Sequence, residues 1–255
     1  MKKHLFLLLC LYTSLHTYGQ KAYKLQSPDG NIQVSVSLSD KIYYNVTYRQ
    51  DTLLKQCNLQ MELSNQELGN APKLAGINKK SVDESLKPVI PLKYSTVANK
   101  YNQLLMKFEG DYSVEFRAFN DGIAYRFITN KKGMIEVYNE TFQVNFPENY
   151  LLHVQHPGGF KTAYEEEYKH IESKDWKTSD KMALLPILID THKDYKILIS
   201  ESDLADYPAL FLKSNGNNGM LSVFPKVPLE FGDDGDRSLK ILKEADYICL
   251  LYTSD

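Results

Sequence analysis

The sequence predicts an all-β fold, a sandwich of mainly antiparallel strands. Three observations carry that expectation. Apolar and polar residues alternate with period two over many short runs, which buries one face of each strand. Clusters of Gly, Pro, Asn and Asp separate the runs at near-regular spacing, where turns need them. No stretch of three turns has the apolar spacing of an amphipathic helix. Many short strands and almost no helix argue for packed sheets. The 255 residues suffice for one large all-β domain or two small ones, and 43% hydrophobic with 24% charged residues can bury a core. The 18 tyrosines suit pleated, half-buried surfaces.

Residues 1–19 read as a signal peptide rather than as part of the fold. Lys2 and Lys3 precede a short apolar run, Leu5–Leu11, and Thr17-Tyr18-Gly19 offers a cleavage site before Gln20. The run is too short to span a bilayer, and nothing later approaches that length. Cys10 is a poor lipidation site, because Leu9 precedes it where a small residue belongs. The expectation is an exported chain, periplasmic, with no membrane span. Removing the peptide leaves 28 basic and 32 acidic residues, a net charge of −4 with no basic cluster, which does not suggest a nucleic-acid partner. Cys57 and Cys249 remain; an exported chain can pair them, but two cysteines make no disulfide framework.

The strands follow in order. Ser27-Pro28-Asp29-Gly30 has turn chemistry. Ile32, Val34, Val36 and Leu38 then alternate with polar residues, and Ile42, Tyr44, Val46 and Tyr48 repeat the pattern after Ser39-Asp40, as a hairpin would. Leu59, Met61 and Leu63 give a short third strand, and residues 65–100 read as loops and edge strands. Strands are expected at Leu104–Phe108, Tyr112–Ala118 and Ile123–Phe127, the last two joined at Asn120-Asp121-Gly122, and again at Phe142–Phe146. Leu184–Ile189 and Tyr195–Ser200 form a further hairpin across Asp190–Asp194, followed by Leu204–Leu212 and Met220–Phe224.

Chemistry concentrates in His153–Ile171, which joins two β-rich blocks. Pro157-Gly158-Gly159 opens it, and Glu165, Glu166 and Glu167 follow between Tyr164 and Tyr168. Three adjacent carboxylates repel one another. A solvated face relieves the repulsion, and so does a bound cation; the residues alone leave both open. Asp233, Asp234 and Asp236 with Gly232 and Gly235 lack the spacing of an EF-hand and read as a polar loop. His153, His156, His170 and His192 read as scattered surface or core residues. The sequons at Asn45 and Asn139 match a pattern common by chance.

Several segments resemble the N-terminal domain of glycoside hydrolase family 97. They are Ser27-Pro28-Asp29-Gly30 with its following strand, the stretch Phe116-Arg117-Ala118-Phe119-Asn120-Asp121-Gly122-Ile123-Ala124-Tyr125-Arg126-Phe127, the Tyr164–Tyr168 acidic run, and Glu201-Ser202-Asp203-Leu204-Ala205-Asp206-Tyr207-Pro208. The resemblance covers residues 20–248. It implies a β-super-sandwich that precedes a catalytic (β/α)₈ barrel and a small C-terminal β domain in an exported α-glycosidase acting on α-glucosides or α-galactosides. It also implies an active-site Ca²⁺ that takes one glutamate from the sandwich. By that resemblance the ligand is Glu165, with Glu167 as the alternative if the alignment shifts by two. The catalytic acid and base would belong to the barrel, so none is expected here, and the chain alone is expected to be inactive. Residues 249–255 depart from the family pattern and are set apart as a tail of a truncated chain, with the last strand of the sandwich missing and a sheet edge exposed. The alternative function is a free-standing carbohydrate-binding β-sandwich.

Overall fold

The strand pattern is realised in a computed structural model, which describes residues 21–235 and 238–253. Its elements are β1 (Ala22–Gln26), β2 (Ile32–Leu38), β3 (Ile42–Tyr48), β4 (Asp51–Leu63), β5 (Gln66–Leu68), β6 (Leu74–Leu86), β7 (Val97–Phe108), β8 (Tyr112–Ala118), β9 (Ile123–Thr129) and β10 (Gly133–Asn145). They continue as β11 (Leu151–Val154), β12 (Lys169–Glu172), β13 (Ile187–Asp190), β14 (Lys196–Ile199), β15 (Phe211–Ser214), β16 (Gly219–Val223), β17 (Pro228–Asp233), β18 (Leu239–Glu244) and β19 (Cys249–Thr253). No α-helix occurs among the described residues. None of the described residues therefore forms a helix long and apolar enough to cross a membrane.

A nine-stranded sheet runs β1-β2-β3-β4-β10-β16-β15, with β5 added to β4 and β19 to β10. Facing it, β6-β7-β8-β9 form an antiparallel sheet. The inward residues alternate as the sequence requires. Val34, Val36, Ile42, Tyr44 and Leu59 from the larger sheet and Leu104, Met106, Val114 and Phe116 from the smaller share one buried core. Tyr44 meets Phe116 across the sandwich with ring centroids 5.9 Å apart, and Phe142 of β10 stacks on Tyr125 of β9 at 5.8 Å and 14°. Fully burying each such side chain contributes about 1.5–3 kcal/mol. A third sheet, β12-β11-β13-β14, adds Leu152, Ile187 and Ile189 to the same core. It is tied to the larger sheet by Lys193–Asp51 at 2.6 Å and by Tyr48–Tyr195 at 5.2 Å. The β17-β18 ribbon pairs with no other strand among the described residues.

Two turns singled out in the sequence hold each other. The Ser27–Gly30 turn closes through Gly30 N–H donating to Ser27 O at 2.9 Å, and the Asp29 N–H donates to Asn120 Oδ1 at 3.0 Å, in the β8–β9 turn. At Gly219 a side chain is excluded, because a Cβ would lie 2.2 Å from Val144 O of the paired β10.

Residues 65–100 hold the loops and edge strands expected there: β5 beside β4, and the 13-residue β6 at the margin of the smaller sheet, paired along its length with β7. Most of β6 is exposed on both faces, so the one-sided alternation that marks a half-buried strand is absent. Three expectations are corrected. The third strand is longer than Leu59–Leu63, since β4 starts at Asp51; irregular register against β3 and a positive φ at Gln56 interrupt its alternation. Between Leu204 and Leu212 only the end is regular, from Phe211. Residues 249–253, expected to stand apart as a tail, join the larger sheet as β19, pairing antiparallel with Gly133–Val137. Cys57 and Cys249 are both buried and both free, so the pairing they allow is not formed. Residues 1–19 and Asp236, on which the signal-peptide and part of the polar-loop readings rest, lie outside the described residues.

Phe116→Ala should therefore destabilise the chain by about 3–5 kcal/mol, the usual cost of emptying an aromatic core position. Tyr168→Ala, at an exposed position, should change stability by no more than about 0.5 kcal/mol. Urea midpoints of the two variants check both.

Candidate metal-binding loop

The acidic run lies in the connection between β11 and β12, outside the third sheet. Residues 155–168 form no strand or helix, and residues 161–170 are all exposed. The connection is nonetheless anchored. Phe160 packs edge-on against buried Phe211 at 5.0 Å, and Tyr164 lies 6.0 Å from the same ring. The Tyr164 hydroxyl donates to Phe160 O, and its N–H donates to Thr162 Oγ1 at 3.1 Å. These contacts hold Tyr164 at φ +59°, a left-handed value that bends the chain just before the carboxylates. Gln155 Nε2 donates to Glu166 O at 2.5 Å, and Lys161 reaches Asp234 at 3.5 Å on the β17–β18 turn.

This scaffold leaves the carboxylates of Glu165, Glu166 and Glu167 pointing into solvent with no ion pair or hydrogen bond among the described residues. They are hard oxygen donors, the ligand type that Ca²⁺ takes, and they are free to bind. The structure does not bring Glu165 or Glu167 together with other ligands: no group of three His, Cys, Asp or Glu suited to a metal occurs among the described residues. The donor chemistry fits calcium, and the donor number available here is one or two. Asp233 and Asp234 lie at the hairpin turn of β17 and β18, consistent with a polar loop.

Two clusters escaped sequence reasoning. Glu140 of β10 is half-buried and accepts a hydrogen bond from the Tyr125 hydroxyl at 2.8 Å. Burial pushes its carboxyl above the ordinary glutamate value, and the nearby charge of Glu201 acts in the same direction. Glu201, also raised by burial, accepts the Leu210 N–H at 2.9 Å. In the sequence Glu140 was visible only as the middle of a sequon. The second cluster is His153 with His170, two of the histidines read as scattered, which meet across the β11–β12 ladder. His156 instead bonds Met182 O through Nδ1 at 2.9 Å. Packing of the two facing sheets makes the Glu140 contact and strand register the His153 contact, and no local motif announces either.

Comparison with known proteins places these features. A family model described as glycosyl-hydrolase 97 N-terminal matches residues 25–238. A retaining alpha-galactosidase of Bacteroides thetaiotaomicron is 33% identical over 260 residues, an alignment that covers 97% of this chain and 39% of that protein. The chain thus spans well under half the length of the curated relative it matches. Among solved structures, a glycoside hydrolase family 97 enzyme from Pseudoalteromonas sp. strain K8, in complex with acarbose, superposes with a TM-score of 0.71 at 21% identity, covering 79% of this chain and 32% of that one. A beta-arabinopyranosidase superposes with a TM-score of 0.70 at 23% identity, covering 85% of this chain and 37% of that one. At these identities the two structures show a shared fold.

Glu140 gives a pH prediction. Its folded pKa is raised, so between the ordinary value of 4.5 and the folded value the folded state binds more protons than the unfolded state. Its contribution to stability is therefore lost as pH rises through that window. Glu140→Gln has no such ionisation, so the difference in melting temperature, variant minus native, should grow in the variant's favour from pH 4.5 to pH 7.5. Melting curves that stay parallel across that range would contradict it.

Proposed function

The chain belongs to the glycosyl-hydrolase 97 N-terminal family, and on that premise we propose that it is the sandwich portion of an exported, calcium-dependent α-glycosidase acting on α-glucosides or α-galactosides. The observation that carries the reading is the match of residues 25–238 to the family model, joined to 33% identity with a retaining alpha-galactosidase of which this chain spans 39%. The partner implied is a catalytic (β/α)₈ barrel on the same polypeptide, and the substrate an oligosaccharide with α-linked glucose or galactose. Export, to the periplasm, is supported by the signal-like pattern of residues 1–19. The β17–β18 ribbon leaves Leu229, Phe231, Leu239 and Leu242 exposed, apolar surface of the kind a neighbouring domain covers.

In this reading Glu165 is the sandwich's ligand to the calcium, with Glu167 as the alternative. Its carboxylate is exposed and unpaired, on a connection anchored by Phe160 and Tyr164 against Phe211. Anchoring lowers the ordering cost of presenting the side chain to a partner. When bound, a calcium ion would supply Lewis acidity or a template for orienting the sugar. The remaining oxygens of its shell, roughly six to eight in all, would come from outside this chain. Binding also relieves the repulsion among Glu165, Glu166 and Glu167.

The test joins this sandwich to its barrel and measures calcium affinity and turnover of nitrophenyl α-glycosides. Glu165→Gln should weaken calcium binding by roughly 10- to 100-fold, the range that residues supporting a metal site command. If Glu167→Gln has that effect instead, the site stands with the alternative ligand. Unchanged affinity and turnover in both variants return the acidic run to a solvated face. The 255-residue chain alone should show no turnover, and hydrolysis by it would overturn the division of labour.

A further inference from the structure

The acidic connection has a neck, where β11 ends and β12 begins. His153 and His170 stand directly opposite one another there in the antiparallel register. Their Nδ1 atoms are 2.6 Å apart, their ring centroids 4.7 Å apart, and their ring planes cross at 77°. His153 is half-buried and His170 exposed, so solvent and its ions reach both rings. Neither ring has another hydrogen-bond partner among the described residues. At this separation one Nδ1 donates its proton and the other accepts it. The arrangement aims two imidazole nitrogens at one point from two strands whose register is fixed.

We propose that His153 and His170 are the two protein ligands of a surface site for a borderline divalent transition metal (Zn²⁺, Ni²⁺ or Cu²⁺), which takes the place of the shared proton. Imidazole nitrogen suits these ions, whereas Ca²⁺ takes carboxylate, carbonyl and water oxygen. The exchange balances without redox chemistry: the bridging Nδ1 proton leaves to solvent, that ring takes up a proton at Nε2, and both rings stay neutral with an Nδ1 lone pair each. Metal–nitrogen distances of about 2.0–2.1 Å in tetrahedral geometry set the two nitrogens roughly 3.3 Å apart. The rings need therefore part by less than roughly 1 Å, a side-chain adjustment that leaves the ladder intact. Water completes the shell, because no third His, Cys, Asp or Glu joins the pair among the described residues. The nearest acidic position along β12, Glu172, is engaged by Asn149 Nδ2 at 2.7 Å and faces His192 Nε2 at 3.8 Å. Two ligands make the site weaker than a four-ligand structural zinc site.

Such an ion pins the neck of residues 155–168 and so restrains the base of the connection that carries Glu165 and Glu167. The proposal stands on the histidine geometry and not on the calcium reading, since its donors and its preferred ions differ. Equilibrium dialysis of the untagged chain against Zn²⁺ tests it, with Ca²⁺ in excess in a second arm. The expected result is about one equivalent of Zn²⁺ that excess Ca²⁺ does not displace. His153→Ala and His170→Ala should each weaken binding by roughly tenfold or more, as losing half of a chelate does, while His192→Ala leaves it unchanged. Zn²⁺ should also raise the melting temperature of the native chain and not that of either variant. Should a variant not fold, the Cu²⁺ electron paramagnetic resonance spectrum of the native chain decides, and coupling to two imidazole nitrogens is expected. Absence of Zn²⁺ binding, unchanged affinity in both neck variants, or a Cu²⁺ spectrum with oxygen ligands alone would overturn the proposal.

Discussion

Strand β10 is the constraint on which the architecture depends. Along one edge it pairs with β4; along the other it pairs first with β19 and then with β16. Without those ladders the β1–β4 meander and the β15–β16 hairpin have no common sheet. The same strand crosses to the facing sheet through its side chains. Phe142 stacks on Tyr125, and Glu140 accepts a hydrogen bond from that tyrosine's hydroxyl. A stacked pair contributes about 0.5–1.5 kcal/mol beyond its buried area. The carboxylate beside it is less comfortable, since burial works against its charge. One strand therefore supplies sheet continuity, sheet-to-sheet contact and a pH-sensitive group.

The third sheet depends on that core in turn. Leu152, Ile187 and Ile189 bury its inner face, and Ile171 of β12, opposite Leu152 in the ladder, packs against the same core, which fixes the register of β11 against β12. Register brings His153 to His170, and the ends of the two strands set where the acidic connection starts and stops. The connection is anchored by aromatic contacts to Phe211, and its carboxylates remain in solvent. A rigid base with unpaired hard ligands is the arrangement a shared metal site between domains requires. Family membership supplies the proposed partner, and the local physics supplies a side chain able to meet it.

The fold class was legible because most core strands have one wet face, and period-two alternation records that directly, as in Ile32–Leu38 and Ile42–Tyr48. Where that condition fails the pattern fails. β6 has two exposed faces and no alternation, and β4 is interrupted opposite Val46. β19 was obscured for another reason: no family pattern is legible in its residues, which therefore stand apart as a tail in the sequence, whereas their backbone groups extend the ladder of β10. At the candidate site, the run of glutamates is a local signal and was readable. The Glu140–Tyr125 and His153–His170 contacts were not, because the first joins two facing sheets and the second two paired strands, placements that only the packed core decides.

The central claim is that a rigid sandwich built on β10 presents an anchored but solvent-facing acidic connection. Native-state amide hydrogen exchange tests it most directly. The account predicts that amides of Val137 and Val144 exchange only through global unfolding, while those of Glu165 and Glu167, exposed and outside any ladder, exchange through local opening at far lower cost. Equal protection of the two regions, or β10 amides that exchange as readily as those of the acidic run, would contradict it.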